Sequence, residues 1–157
     1  MFKKGPIDGV ITENLRKFVD ERGWLCELFR HDNLDEKHYP VMAYTSLTQP
    51  DTARGPHEHA DQTDLFCFIG PSNFKLYLWD HRKNSPTFGN RMVLFTGEDS
   101  PMSVIIPPGV VHAYKNVGGK PGIVLNCANR LYAGKNKKEP VDEIRHEDTP
   151  DSPFRLD

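Results

Sequence analysis

With 157 residues, the chain has room for one domain with a real core and little room for a second. Its 20 lysines and arginines stand against 22 acidic residues for a formal net charge of -2. No basic stripe gathers among them, which excludes nucleic acid as the main partner. Met1-Phe2-Lys3-Lys4 leads into no signal-peptide core, and no apolar run approaches a membrane span, so a cytoplasmic protein without a membrane partner is expected.

Taken in chain order, short segments rich in aromatic and β-branched residues are expected as strands: Trp24 to Phe29, Val41 to Leu47, Leu65 to Ile69, Phe74 to Trp79, Met92 to Phe95, Met102 to Ile106 and Ile123 to Leu125. Asp32 to Lys37 invites one capped turn and little else invites a helix. Phe74, Leu76 and Leu78 share one face of their strand. Lys75, Tyr77 and Trp79 share the other, which is aromatic enough to need cover from a second sheet or subunit. Gly70-Pro71-Ser72 and Pro107-Pro108-Gly109 break strands. Asp80 and Arg82 read as a structural pair beside a Ser85-Pro86-Thr87 turn. Cys26, Cys67 and Cys127 are odd in number and widely spaced, which favours buried free thiols over a disulfide frame. From Ala133 to Asp157 the chain is mostly charged, anchored only by Val141, Ile144 and Phe154, and this tail is expected to lie across a barrel or a partner subunit.

The chemistry concentrates in Arg54-Gly55-Pro56-His57-Glu58-His59. Residues two apart on a strand point the same way, so both imidazoles project into one enclosed space. His112 follows the Pro107-Pro108-Gly109 turn, and Asp64 opens the next strand. Three readings fit this set. His57, His59, Asp64 and His112 could hold one divalent transition metal, one histidine could act as a general base, or the histidines could fill a polar barrel mouth. His31, His38, His81 and His146 lie in charged surroundings and are expected in solvent.

Four ordered segments resemble the dTDP-4-dehydrorhamnose 3,5-epimerase family of the cupin superfamily: Asp20-Glu21-Arg22-Gly23-Trp24 with Glu27, Arg54-Gly55-Pro56-His57, the run from Asp80 to Gly89, and Ile106-Pro107-Pro108-Gly109-Val110-Val111-His112. The resemblance covers residues 8 to 132. It implies a single all-β domain, a cupin double-stranded β-helix or jelly roll, in a homodimer that exchanges its N-terminal strand, and no cofactor. The implied reaction takes a proton from a carbon beside the ketone of a nucleotide-linked sugar and returns one from the opposite face. His57 matches the base. Arg54 and His112 match groups that stabilise negative charge, with His59, Gln62, Asp64 and Asn126 as further substrate-binding candidates. Arg22, Trp24 and Glu27 match the segment that closes the nucleotide pocket of the adjacent subunit.

The chain also departs from the pattern. The family's proton-returning tyrosine has no counterpart in Ile123-Val124-Leu125-Asn126-Cys127, which leaves Tyr114 as the candidate acid and Tyr132 as packing. The aspartate that backs the base from a C-terminal extension has no assigned counterpart, and Gln62-Thr63-Asp64 stands where the family has a lysine. The expected function is a nucleotide-sugar epimerase or keto-isomerase acting on a 4-keto-6-deoxy sugar, with single-centre chemistry favoured. The alternatives are a metal-dependent cupin dioxygenase or isomerase, and a catalytically silent sugar-binding cupin.

Overall fold

A computed structural model describes residues 1–157. Its strands are β1 (Lys3–Lys4), β2 (Ile11–Asn14), β3 (Lys17–Asp20), β4 (Gly23–Cys26), β5 (Tyr44–Thr48), β6 (Ala53–Glu58), β7 (Asp64–Phe68), β8 (Asn73–Asp80), β9 (Asn90–Gly97), β10 (Met102–Ile106), β11 (Val110–Asn116), β12 (Gly122–Asn126) and β13 (Ile144–Arg145). A six-stranded sheet runs β1-β9-β8-β11-β6-β13 and a five-stranded sheet runs β2-β10-β7-β12-β5. Facing each other, they form the cupin jelly roll expected from the sequence. The expected turn after Asp32 is two single 3-10 turns, His31–Asn33 and Glu36–His38, the second capped by the Asp35 carboxylate accepting from the Lys37 N–H.

Alternation decides what each face buries. Phe74, Leu76 and Leu78 of β8 meet Phe66 and Phe68 of β7 and Val104 and Ile106 of β10 in the main core. Each such side chain contributes roughly 1.5–3 kcal/mol by leaving water. On the opposite face of β8, Tyr77 and Trp79 pack with Val111 and Ala113, and the cover expected from a second sheet or subunit comes from the chain's own tail. Phe154 of the chain's own tail lies on Trp79, and the Tyr77 hydroxyl donates to the Asp157 carbonyl. The outer face of the five-stranded sheet, with Leu65 and Cys67, is covered by Leu28, Phe29 and Leu34. The strand expected over Trp24 to Phe29 therefore stops at Cys26, because Leu28 and Phe29 turn onto that sheet.

The Asp80–Arg82 pair is present at 2.9 Å, and Ser85 and Thr87 hydroxyls complete the turn on Asp80. All three cysteines are free. Two of the histidines expected in solvent are not there. His38 is buried, and His146 donates from Nε2 to Glu58 Oε1 over 2.8 Å while its ring meets Phe154 edge-on.

Candidate active site

The site forms where β6 crosses β11. Their register pairs His112 with His57 and Tyr114 with Arg54, so β6 carries one residue more than its partner between those points. This bulge turns both Arg54 and His57 to the same cavity, although residues three apart on a regular strand face opposite ways. Gly55 makes the bulge possible. Its φ is +80°, and a Cβ there would stand 2.5 Å from the His112 carbonyl oxygen.

The cavity holds about 740 Å³. Of the residues proposed from sequence, Arg54, His57, His59, Gln62 and Tyr114 lie on its wall. Asp64, His112 and Asn126, each 1% exposed, are buried behind the wall. Arg22, Trp24 and Glu27 are not brought to it. Arg22 pairs with Asp20 on the two-stranded β3-β4 hairpin, Trp24 is 49% exposed there, and Glu27 follows the hairpin.

Asp64 organises the buried layer. Its Oδ1 accepts from Gln62 Nε2 and from Asn126 Nδ2, both at 2.8 Å, and its Oδ2 stands 3.3 Å from His59 Nε2 and 3.3 Å from His112 Nε2. Burial works against its charge. The His59 hydrogen bond and the neighbouring imidazoles outweigh that, and hold the carboxyl at about 2. Burial also opposes protonation of His59, but the Asp64 carboxylate on one ring nitrogen and the Asp142 carbonyl on the other raise it to about 9. The raised pKa favours the imidazolium of His59, with Nδ1 on the Asp142 carbonyl and Nε2 between Asp64 Oδ2 at 3.3 Å and Gln62 Nε2 at 3.2 Å. Complete burial pushes His112 down against the pull of Asp64; its Nδ1 lies 3.1 Å from the Val110 carbonyl, and its Nε2 has no hydrogen-bond partner.

His57 is the reactive member by contrast. Burial, then the neighbouring His112 and His59 rings, lower its pKa, which keeps the free imidazole neutral near neutral pH. Its ring centroid is 4.5 Å from that of His112. Its Nδ1 faces Glu143 Oε1 at 3.6 Å and Glu147 Oε1 at 3.9 Å. These carboxylates were missed from sequence, which assigned the base no carboxylate partner. They arrive because the tail folds back as β13 along β6, pairing Arg145 with His57, while the Asp142 carboxylate accepts the Ala60, Asp61 and Gln62 N–H groups.

His57, His59 and His112 place ligand-capable nitrogens within 4.8 Å of one another. Of the four-residue metal set read from the sequence, Asp64 has Oδ1 engaged by the Gln62 and Asn126 amides and His59 has Nδ1 on the Asp142 carbonyl, whereas His57 Nδ1 and His112 Nε2 have no hydrogen-bond partner.

Tyr114 is 3% exposed, packed among Phe66, Phe68 and Phe74, with its hydroxyl 2.7 Å from Ser46 Oγ. Tyr132 stands at the mouth, 54% exposed. Tyr44, which the sequence did not single out, also lies on the wall.

Known proteins resemble this chain closely. The family model for dTDP-4-dehydrorhamnose 3,5-epimerase matches residues 4–148. A spore coat polysaccharide biosynthesis protein of Bacillus subtilis is 36% identical over 126 residues, covering 80% of this chain and 82% of its own length. A probable low-salt glycan biosynthesis epimerase of Haloferax volcanii is 34% identical over 128 residues, covering 80% and 81%. Among solved structures, a dTDP sugar isomerase from Desulfovibrio desulfuricans superimposes with a TM-score of 0.82 at 24% identity, over 95% of this chain and 91% of that one.

Proposed function

Because the chain belongs to the dTDP-4-dehydrorhamnose 3,5-epimerase family, whose members and relatives here are dTDP-sugar epimerase-like proteins of sugar biosynthesis, we propose that it is a nucleotide-sugar epimerase or keto-isomerase acting on a 4-keto-6-deoxy sugar. The observation that carries this reading is His57: a neutral imidazole on the cavity wall, with Nδ1 turned to Glu143 and Glu147 and no protein group hydrogen-bonded to Nε2. Nε2 takes the proton from the carbon next to the ketone, and the imidazolium that forms is stabilised by the two carboxylates behind Nδ1. Charge that develops on the ketone oxygen is met by the fixed cations of the wall, the His59 imidazolium and Arg54. Arg54 is held by the Leu47 carbonyl at 2.8 Å and Thr48 Oγ1 at 3.2 Å, and with Arg130 and Lys137 it supplies positive charge for the diphosphate.

The same reading includes a homodimer, no cofactor and a cytoplasmic setting. The β3-β4 hairpin leaves Phe18, Val19, Trp24 and Leu25 exposed, an apolar surface suited to a second copy carrying Arg22, Trp24 and Glu27 to the neighbouring cavity. No helix is long and apolar enough to cross a membrane.

The test is a dTDP-linked 4-keto-6-deoxyhexose incubated in deuterated water. Deuterium enters carbon 3 or carbon 5, and His57→Asn suppresses entry by at least about a hundredfold. Binding without any exchange moves the protein to a silent sugar binder. About one transition metal per purified chain, with activity lost on chelation, moves it to metal chemistry instead.

A further inference from the structure

Inversion at carbon needs two groups, one to remove the proton and one to return it from the other face, and His57 supplies only the first. We infer that Tyr44 is the acid that returns the proton, an assignment that rests on the epimerase reading above.

The three tyrosines on the cavity wall are not equivalent. Tyr114 is sealed in the core with its hydroxyl on Ser46, and Tyr132 makes no hydrogen bond through its hydroxyl and stands at the open mouth. Tyr44 is fixed and yet accessible. It is 44% exposed, begins β5, and pairs in register with Asn126 at the end of β12. Its hydroxyl is 3.0 Å from Asn126 Nδ2.

The direction of that bond follows from Asp64. The same Asn126 nitrogen stands 2.8 Å from Asp64 Oδ1, an ionised carboxylate that can only accept. The atom at that position is therefore the amide NH₂, and toward Tyr44 it donates as well. The phenol oxygen accepts from Asn126, and its own hydrogen has no acceptor in the protein. Burial, followed by the nearby Asp64, Tyr114 and Glu143 charges, outweighs the Asn126 bond and holds the phenol up at about 12, so it is present as O–H whenever the enzyme is folded near neutrality. His59, the other proton carrier on the wall, has Nδ1 on the Asp142 carbonyl and Nε2 held between Asp64 and the Gln62 amide.

The step balances as follows. The C–H bond beside the ketone breaks, its proton goes to His57 and its electron pair into the enolate. The Tyr44 O–H bond then breaks, the proton forms a new C–H bond on the opposite face, and the pair remains on oxygen as phenolate. Cavity water carries the proton from the His57 imidazolium back to Tyr44, and no other reactant is consumed.

Tyr44→Phe, compared with wild type, Tyr114→Phe and His57→Asn on the same dTDP-linked 4-keto-6-deoxyhexose in deuterated water, separates the roles. Tyr44→Phe is expected to lose net inversion by at least about a hundredfold while deuterium exchange stays within about tenfold of wild type, because a returned deuteron then comes only from His57. Tyr114→Phe keeps both, and His57→Asn loses both. Inversion by Tyr44→Phe within about threefold of wild type overturns the assignment and leaves the epimerase reading intact. Joint loss of exchange and inversion in a Tyr44→Phe protein that melts like wild type also overturns it, since a group acting only on the return leaves abstraction in place. A wild-type chain that neither exchanges nor inverts overturns the epimerase reading and the assignment with it.

Discussion

The two halves of the sandwich are made from the same strands and differ only in what those strands point inward. Along β7 the inward positions run Asp64, Phe66, Phe68, and along β11 they run His112, Tyr114. At one end Phe68, Phe74 and Tyr114 pack ring on ring. At the other, the same pleat holds a polar layer of Asp64, His59 and His112. The apolar half is held by area removed from water and is indifferent to pH. The polar half is held by charges that must keep one protonation pattern, and it spends its order on a cavity.

The largest effects should separate the halves. Phe68→Ala empties a fully buried position and is expected to cost about 3–5 kcal/mol of stability, read by denaturant unfolding, while the fraction still folded keeps its exchange activity. His57→Asn is expected to do the reverse, with a loss of at least about a hundredfold in solvent exchange and little change in the unfolding midpoint, because its Nδ1 makes no hydrogen bond. A variant pair that lost stability and activity together in both cases would dissolve the division.

Much of the apolar half was legible in the sequence. Phe74-Lys75-Leu76-Tyr77-Leu78-Trp79 alternates cleanly, so the residues alone assign its two faces. The shared direction of His57 and His59 was legible by the same period of two, and His112 by its place after the Pro107-Pro108-Gly109 turn. What lay outside reach were contacts fixed by long-range register. Glu143 meets His57 only because β13 runs back along β6, and Tyr44 meets Asn126 only because β5 pairs with β12. Neither pairing has a local signal, and β1 to β3 carry too many charged and exposed residues to alternate. Phe154 was recognised as an anchor, but not the face it would cover.

That cover gives the next effect in size. Phe154 is 3% exposed and touches Phe2, Trp79, His81 and His146. Phe154→Ala should cost about 3 kcal/mol and loosen the tail that carries Glu143, so the exchange rate falls too. Amide hydrogen exchange over residues 142–157 measures the loosening. A loss of stability with the tail as protected as in wild type would mean the tail is held by Asp142 alone.

The polar half should betray itself by pH. His59 has a folded pKa raised from 6.5 to about 9, so its stabilisation is complete below about 6.5 and is lost as pH rises through about 9. His57 is lowered from 6.5 to about 2, so the unfolded chain binds the extra proton and stability falls as pH drops below about 6.5. Wild type should be most stable near neutrality. His59→Asn should be destabilised on the order of 2 kcal/mol at pH 6 and much less at pH 9.5. kcat/KM should fall on the alkaline side near pH 9 as the imidazolium is lost. A gap between wild type and His59→Asn that is the same at both pH values would remove the imidazolium from the account.

The smallest expected effect falls on Tyr114, where the two halves meet. Its ring belongs to the apolar half and makes edge contacts with Phe66, Phe68 and Phe74, while its hydroxyl reaches only Ser46 Oγ at the cavity wall. Tyr114→Phe keeps every ring contact and removes one neutral hydrogen bond whose partner can turn to cavity water. The expected cost is about 1 kcal/mol, with inversion and exchange within about threefold of wild type. Tyr114→Ala removes the ring and should cost about 3–5 kcal/mol, so nearly all of the residue's contribution lies in packing. If Tyr114→Phe instead lost inversion a hundredfold at unchanged stability, the boundary between the halves would move one residue along β11. Tyr114 would then belong to the chemistry rather than to the core.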